Sequence, residues 1–183
     1  MGEAPPPPPA AAAAAAAEEE DPATSARVLA LLDAHASGAY TTLRHAPTRT
    51  SQESADVRGV ALASGAKAML IRASKPLAHG GPFVLCVLSA ACVADLKKLR
   101  AVLGVSRLSM ASVAEVQAVT GCIPGAVPPF GSLFPGVATL MDGSLQRQGA
   151  VINFNCGLRT LSVLGLPVAA YLAIERPTLA EFT

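Results

Sequence analysis

A single mixed α/β domain is what this sequence predicts, and three observations carry the prediction. Its 183 residues suffice for one domain of ordinary size and are too few for two comfortable ones. Short apolar runs with strand character alternate irregularly with short segments of helical periodicity. Gly, Pro or charge breaks every apolar run before the ~18 residues that crossing a bilayer takes. The mean hydropathy of +0.44 therefore reflects alanine and not a membrane segment.

Residues 1–23 run from prolines through alanines to Glu-Glu-Glu-Asp-Pro, a low-complexity stretch expected to be a disordered acidic tail. It has neither the basic start of a secretory signal nor the arginines of a transit peptide, which points to a cytoplasmic protein. The folded domain is expected over 24–183. Val28, Leu31 and Leu32 share one helical face, with Thr24 or Ser25 as cap and Gly38 as stop. A strand over Tyr40–Arg44 follows. Thr50-Ser-Gln-Glu53 has the form of a capping box, opening a helix read as far as Ser64 and Gly65.

Lys67–Arg72 and Pro82–Leu88, joined by a turn with Gly80 and Gly81, read as a hairpin of central strands. Ala94–Leu103 is a helix with Leu96, Leu99 and Leu103 inward. Ser112-Val-Ala-Glu115 is a second capping box, starting a short helix that ends at Thr120-Gly121. Val137–Met141 and Ala150–Asn155 look like another pair of strands, Leu161–Leu164 a further one, and a last helix starts near Pro167.

The stretch Thr120–Gly131 holds three glycines and three prolines in twelve residues. Proline fixes φ and removes a donor, while glycine admits backbone geometries closed to other residues. Cys122, Ile123, Val127 and Phe130 make the loop too apolar for a simple linker, so it is expected to be buried and to form a site. A plain structural crossover is the alternative.

Net charge is +1, but the first 23 residues hold five acids and no base, leaving 24–183 at +6. That balance suits a phosphate-bearing partner over a limited area. Arg44, Arg49, Arg58, Lys67, Arg72 and Lys75 form a basic cluster interrupted by Glu53 and Asp56. Cys86, Cys92, Cys122 and Cys156 have no C-x-x-C spacing and make no ligand pattern with His35, His45 and His79, so no metal is expected. The cysteines read as reduced core residues, with a reactive thiol at Cys122 as the alternative. His45 reads as a general base or as a structural histidine.

In order, His45-Ala-Pro-Thr-Arg-Thr50-Ser-Gln-Glu-Ser-Ala55, Gly65-Ala-Lys67-Ala-Met-Leu70, Glu115-Val, Thr120-Gly-Cys-Ile-Pro124-Gly125, Pro129-Phe-Gly131 and Asn153-Phe-Asn155-Cys-Gly157-Leu-Arg159 resemble the YbaK/ProX family. These are aminoacyl-tRNA deacylases related to the editing domain of bacterial prolyl-tRNA synthetases. The likeness spans about residues 24–175. It implies one α/β domain whose mixed, partly barrel-like sheet is surrounded by short helices. It also implies hydrolysis of the ester that joins a wrong amino acid to the 3′ acceptor end of a tRNA, with tRNA(Pro) bearing a small non-cognate amino acid expected.

Carried over residue by residue, the resemblance implies that Lys67 and Gly121 serve the reaction. Cys122, Pro124 and Gly125 then line the aminoacyl pocket. Thr50, Phe130, Gly131, Asn155 and Gly157 are further substrate-binding candidates, and Arg44, Arg49, Arg72 and Lys75 are candidates for tRNA contact. Each has a plainer reading: Thr50 as a helix cap, Phe130 as a core plug, Asn155 and Gly157 as a turn, Lys67 as a snorkelling surface lysine. No Ser-His-Asp or Cys-His arrangement stands out, and the family's substrate-assisted chemistry needs none. A ribose hydroxyl beside the ester can assist, while the protein orients water and stabilises the oxyanion. No cofactor, membrane or DNA is expected, and a synthetase is a candidate partner. The alternative function is a non-catalytic module that binds tRNA or a synthetase with the same pocket.

Overall fold

The computed structural model describes residues 20–78 and 80–183. The reading of 1–19 as disordered tail, and that of His79, lie outside the described residues. Residues 20–23, assigned to the tail from the sequence, join the fold. Glu20 Oε1 accepts from the Arg159 amide at 2.8 Å and from its Nε at 3.3 Å, and helix α1 starts at Ala23. Thr24 and Ser25, expected as caps, lie inside this helix (Ala23–Ala36) and are buried. Pro22 is the N-cap, with Asp21 ahead of it accepting from the Ala23 amide at 2.8 Å, while the Thr24 hydroxyl donates to the Thr120 carbonyl.

The remaining described elements are β1 (Thr41–Arg44), α2 (Ser51–Arg58), a 3-10 turn at Leu62–Ser64, β2 (Ala66–Ala73), β3 (Phe83–Ser89) and α3 (Leu96–Leu103). Then come β4 (Leu108–Met110), α4 (Val113–Thr120), a 3-10 turn at Gly131–Leu133, β5 (Ala138–Asp142) and α5 (Ser144–Arg147). The chain closes with β6 (Val151–Leu158), β7 (Leu161–Pro167), α6 (Val168–Glu175) and β8 (Thr178–Ala180).

The strands divide between two sheets that do not close into one barrel. A mixed five-stranded sheet has the order β4-β2-β3-β5-β8, and an antiparallel three-stranded sheet the order β1-β7-β6. Among the described residues a single bridge, Gly65 to Asn153, links them. The β2–β3 hairpin forms as expected, with Lys67 opposite Leu88. The strands expected as a second pair part company. β5 runs parallel to β3, while β6 turns back through Arg159-Thr160 to pair with β7.

Alternation along β2 and β3 separates two cores. Leu70, Leu85 and Val87 face a large cluster with Val28 and Leu32 of α1, Phe154 of β6 and Tyr171 of α6. Ile71, Val84, Cys86 and Leu88 face a smaller one with Leu99 of α3 and Phe182. Leu96, expected inward, is 40% exposed, because α3 buries only the Leu99 side of its face.

Helix α2 is shorter than expected. Gly59 takes the left-handed conformation (φ +65) and its N–H closes onto the carbonyls of Ala55 and Asp56, so the helix ends at Arg58. Thr50 caps it as read, accepting from the Glu53 amide at 3.1 Å. The Glu53 carboxylate reaches past the cap to the Arg49 amide. The box at Ser112 and Glu115 is complete. No helix among the described residues is long and apolar enough to cross a membrane.

The C-terminal strand is fastened by Asp142, fully buried at the end of β5. Its carboxylate accepts from the amides of Ser144, Phe182 and Thr183 and from the Thr183 hydroxyl. Burial works to raise its pKa, but the Phe182 amide and the Ser144 donors outweigh it and hold the group below its usual value. A depressed carboxylate contributes stability above its unfolded pKa and loses it as pH falls through the folded one. Asp142→Ala should therefore cost about 3 kcal/mol in urea unfolding at pH 7. The gap between variant and native protein should shrink below about pH 4; a gap independent of pH would contradict the assignment.

Candidate active site

Between α2, the start of β2, the loop after α4 and strand β6 lies a cavity of about 440 Å³, within the ordinary range for small-ligand sites. Its apolar walls come from Ala66, Ala68, Leu70, Val116, Val127 and Phe154. Small side chains on one face of β2, with Ala90 and Ala111 nearby, leave the space that larger ones would fill. The polar wall is Thr48, Thr50, Ser54, Arg58 and Asn155. The Ser54 hydroxyl lies 2.8 Å from that of Thr48 and 3.0 Å from the Thr50 carbonyl.

Arg58 ends α2 and reaches across to the small sheet. Its Nε donates to Ser162 Oγ at 2.8 Å and its Nη2 to Asn155 Oδ1 at 2.6 Å. Asn155 Nδ2 donates in turn to the Gly125 carbonyl at 2.7 Å, and the Gly157 amide to the Ala126 carbonyl at 3.0 Å. Strand β6 thus holds the loop to α2. Burial lowers the Arg58 pKa to about 10, so the guanidinium stays charged at neutral pH. Lys67 Nζ donates to the Cys92 carbonyl at 2.7 Å. Burial lowers its pKa too, partly countered by Cys92. Neither cation takes part in a salt bridge among the described residues.

Of the sequence-predicted residues, Lys67, Thr50, Pro124, Gly125, Asn155 and Arg49 line the cavity. Gly121, Cys122, Phe130, Gly131 and Gly157 do not, and each has a packing task behind the loop. Gly121 is the left-handed cap of α4. Cys122 is buried, and its amide is held by the Thr120 hydroxyl at 3.1 Å. Phe130, fully buried, meets Phe154 and Tyr171 edge-on with ring centroids 5.7 and 5.3 Å apart.

The Gly131 amide donates to Thr139 Oγ1, and a Cβ there would fall 2.3 Å from that oxygen. A Cβ on Gly157 would fall 2.7 Å from the Ser25 nitrogen, so glycine lets β6 approach α1. Arg44 and Lys75 are exposed away from the cavity, and Arg72 is ion-paired with Glu115. The basic cluster therefore divides: Arg49, Arg58 and Lys67 line the cavity, and Arg44, Arg72 and Lys75 do not.

His45 does not line the cavity. Its Nδ1 lies 2.7 Å from the Ala46 carbonyl, which can only accept, so a neutral ring carries its proton there. Nε2 then accepts from Ser162 Oγ at 2.7 Å. Ser162 is fully buried and does not line the cavity, and its Oγ also accepts from Arg58 Nε and lies 3.3 Å from Asn155 Oδ1, so it serves the scaffold and is out of a ligand's reach. The link from Arg58 to Asn155 spans 97 residues of sequence and had no local signal. Among the described residues, no three His, Cys, Asp or Glu side chains gather where a metal could be held.

Three comparisons bear on this geometry. The family described as the aminoacyl-tRNA editing domain matches residues 45–169. The chain is 36% identical over 160 residues to the multifunctional Ser/Thr-tRNA deacylase ProXp-y of Escherichia coli K12, covering 87% of this chain and 92% of that one. The same figures hold for its counterpart in strain O157:H7. Among solved structures, a candidate trans-editing enzyme for prolyl tRNA synthetase superposes with a TM-score of 0.72 at 23% identity, covering 87% of this chain and 96% of that one. The hypothetical protein APE2540 gives 0.73 at 19% identity, covering 85% and 98%. At these identities the structures speak for the fold alone.

Burial pushes the thiols of Cys86 and Cys156 up to about 12 and raises that of Cys122 despite its Thr120 partner. At pH 8 a disulfide reagent should thus find one thiol in the native protein, the half-buried Cys92, and four after unfolding. A second fast thiol that disappears in Cys122→Ser would restore Cys122 as a reactive group.

Proposed function

This chain belongs to the aminoacyl-tRNA editing domain family, and we propose that it hydrolyses the ester of mischarged aminoacyl-tRNA, acting in trans as a free-standing deacylase. The observation that carries the reading is the cavity. It lies within the matched segment and offers two cations with neutral partners to a ligand that brings both a phosphate and a polarised ester. In this reading Lys67 anchors the phosphate of the acceptor end by exchanging the Cys92 carbonyl for it. Thr50, Asn155 and the backbone of Pro124 and Gly125 hold the aminoacyl group. Gly121, Cys122, Phe130, Gly131 and Gly157 support that loop from behind.

The chemistry asks little of side chains. A water oxygen attacks the ester carbonyl carbon, its proton passing to the neighbouring ribose hydroxyl or to solvent. The bond between the carbonyl carbon and the ribose oxygen then breaks, and that oxygen takes up a proton. The products are a free amino acid and uncharged tRNA. The protein contributes alignment, oxyanion stabilisation and exclusion of bulk water.

Serine and threonine are the amino acids we assign first, because the 36%-identical relative is named for them. Both are small and polar, in keeping with the expected non-cognate residue. A second site is needed because apolar pockets separate near-isosteres by only ~1–3 kcal/mol. The tRNA(Pro) expectation stays part of the proposal. A substrate made where tRNA is charged supports a cytoplasmic setting.

The test is deacylation of tRNA(Pro), tRNA(Ser) and tRNA(Thr) carrying alanine, cysteine, serine, threonine or proline. The reading expects rapid loss of seryl or threonyl esters and sparing of prolyl-tRNA(Pro). Lys67→Ala should lower kcat/KM by about 10–100-fold, chiefly through KM. Decay of every ester at the buffer rate, with tRNA still bound, would instead favour the binding-module alternative.

A further inference from the structure

The polar end of the cavity holds the Arg58 guanidinium. Arg58 lines the cavity, yet both of its hydrogen-bond partners, Ser162 Oγ and Asn155 Oδ1, are neutral, and it has no carboxylate in salt-bridge reach among the described residues. These bonds use Nε and Nη2 and fix the plane of the guanidinium. Nη1 has no partner. No buried side-chain nitrogen or oxygen is left without a hydrogen bond among the described residues, so Nη1 is accessible and not enclosed.

A charge kept in a largely apolar cavity costs desolvation, and its neutral partners return only part of that cost. A ligand atom that gains negative charge at this place would be favoured by the remainder. Arg58 also sits beside the Pro124–Gly125 loop, because Asn155 touches both. That is the aminoacyl end of the cavity in the deacylase reading, with Lys67 left for the phosphate.

We propose that Arg58 is a catalytic residue whose Nη1 donates to the ester carbonyl oxygen as the tetrahedral intermediate forms. The inference rests on the deacylase reading and adds to it the source of oxyanion stabilisation. When water adds to the carbonyl carbon, the C=O electron pair moves onto oxygen. The guanidinium, already oriented and already desolvated, meets that charge without reorganising. When the ester bond breaks, the pair returns to re-form the carbonyl and the charge on Arg58 is again uncompensated. The guanidinium neither gains nor loses a proton in this cycle.

A purely structural role makes a different demand. If Arg58 only positions Asn155 and thereby the Gly125 carbonyl, removing Asn155 should cost as much as removing Arg58. If it binds a phosphate, its loss should raise KM and leave kcat alone.

The experiment compares the full chain with Arg58→Gln, Arg58→Lys and Asn155→Ala on the ester that the native protein cleaves fastest, with kcat, KM and melting temperature measured for each. Arg58→Gln should lose about 10²–10³-fold in kcat with KM within about threefold. Arg58→Lys, which keeps charge but cannot bond Ser162, Asn155 and substrate together, should lose at least about tenfold. Asn155→Ala should lose at least about tenfold less than Arg58→Gln.

Equal losses in Arg58→Gln and Asn155→Ala, or a loss confined to KM, would overturn the proposal. Should Arg58→Gln not fold, Arg58→Lys decides: native kcat in that variant overturns it. A native protein that cleaves no ester overturns the deacylase reading and this inference with it, whereas an active native protein indifferent to Arg58 sinks the inference alone.

Discussion

The candidate site depends on one side-chain amide. Asn155 Nδ2 donates to the Gly125 carbonyl while Asn155 Oδ1 accepts from Arg58, so a single residue of β6 ties the loop after α4 to the end of α2. These are two of the cavity's walls, and neither touches the other through regular structure. An amide suits the position because it offers a donor to a carbonyl and an acceptor to a guanidinium at once. An aspartate there would have neutralised Arg58 and repelled the carbonyl. The cavity keeps its positive charge because its organiser is neutral.

The other wall follows from the pleat of β2. Ala66, Ala68 and Leu70 fall on the face toward the large core, and Met69 and Ile71 on the face toward the small one. Lys67 belongs by register to the second set, which accounts for its bond to the Cys92 carbonyl after β3. Small residues on the first face hollow out the cavity, and larger ones behind the loop make it stiff. Phe130 packs against Phe154 and Tyr171, and the buried Glu175 carboxylate accepts from the Ser132 amide and hydroxyl and from Thr139. A loop rich in glycine and proline thus gains its rigidity from the core beneath it.

What the sequence disclosed was local. The cap at Thr50, the capping box at Ser112 and the end of α4 at Gly121 depend on residues within a few positions of one another, and the β2–β3 hairpin joins two strands adjacent in sequence; the structure has them all. The order of motifs from His45 to Arg159 pointed to the editing family, whose model matches residues 45–169. What stayed hidden was long-range or very short. β4 and β8 are three residues each, too few for alternation to register. Two glycines, Gly59 and Gly65, offer a stop for α2, and the sequence alone does not show that the first one ends it. Phe130 and Gly131 share a loop with Pro124 and Gly125, yet only its middle, Pro124, Gly125 and Val127, meets the cavity, while Cys122 and Ile123 before it and Phe130 and Gly131 after it pack into the core. Arg58 was visible only as one of six basic residues; its pairing with Asn155 requires the fold.

The most direct measurement is a crystal structure of the chain with a non-hydrolysable aminoacyl-adenosine, 3′-deoxy-3′-(L-seryl)aminoadenosine, in which an amide replaces the ester. The account predicts the seryl group between α2 and the Pro124–Gly125 loop, its carbonyl oxygen within hydrogen-bond distance of Arg58. The ribose should point toward Lys67. A ligand seated elsewhere on the surface, or reversed so that its carbonyl lies away from Arg58, would contradict the assignment of this cavity.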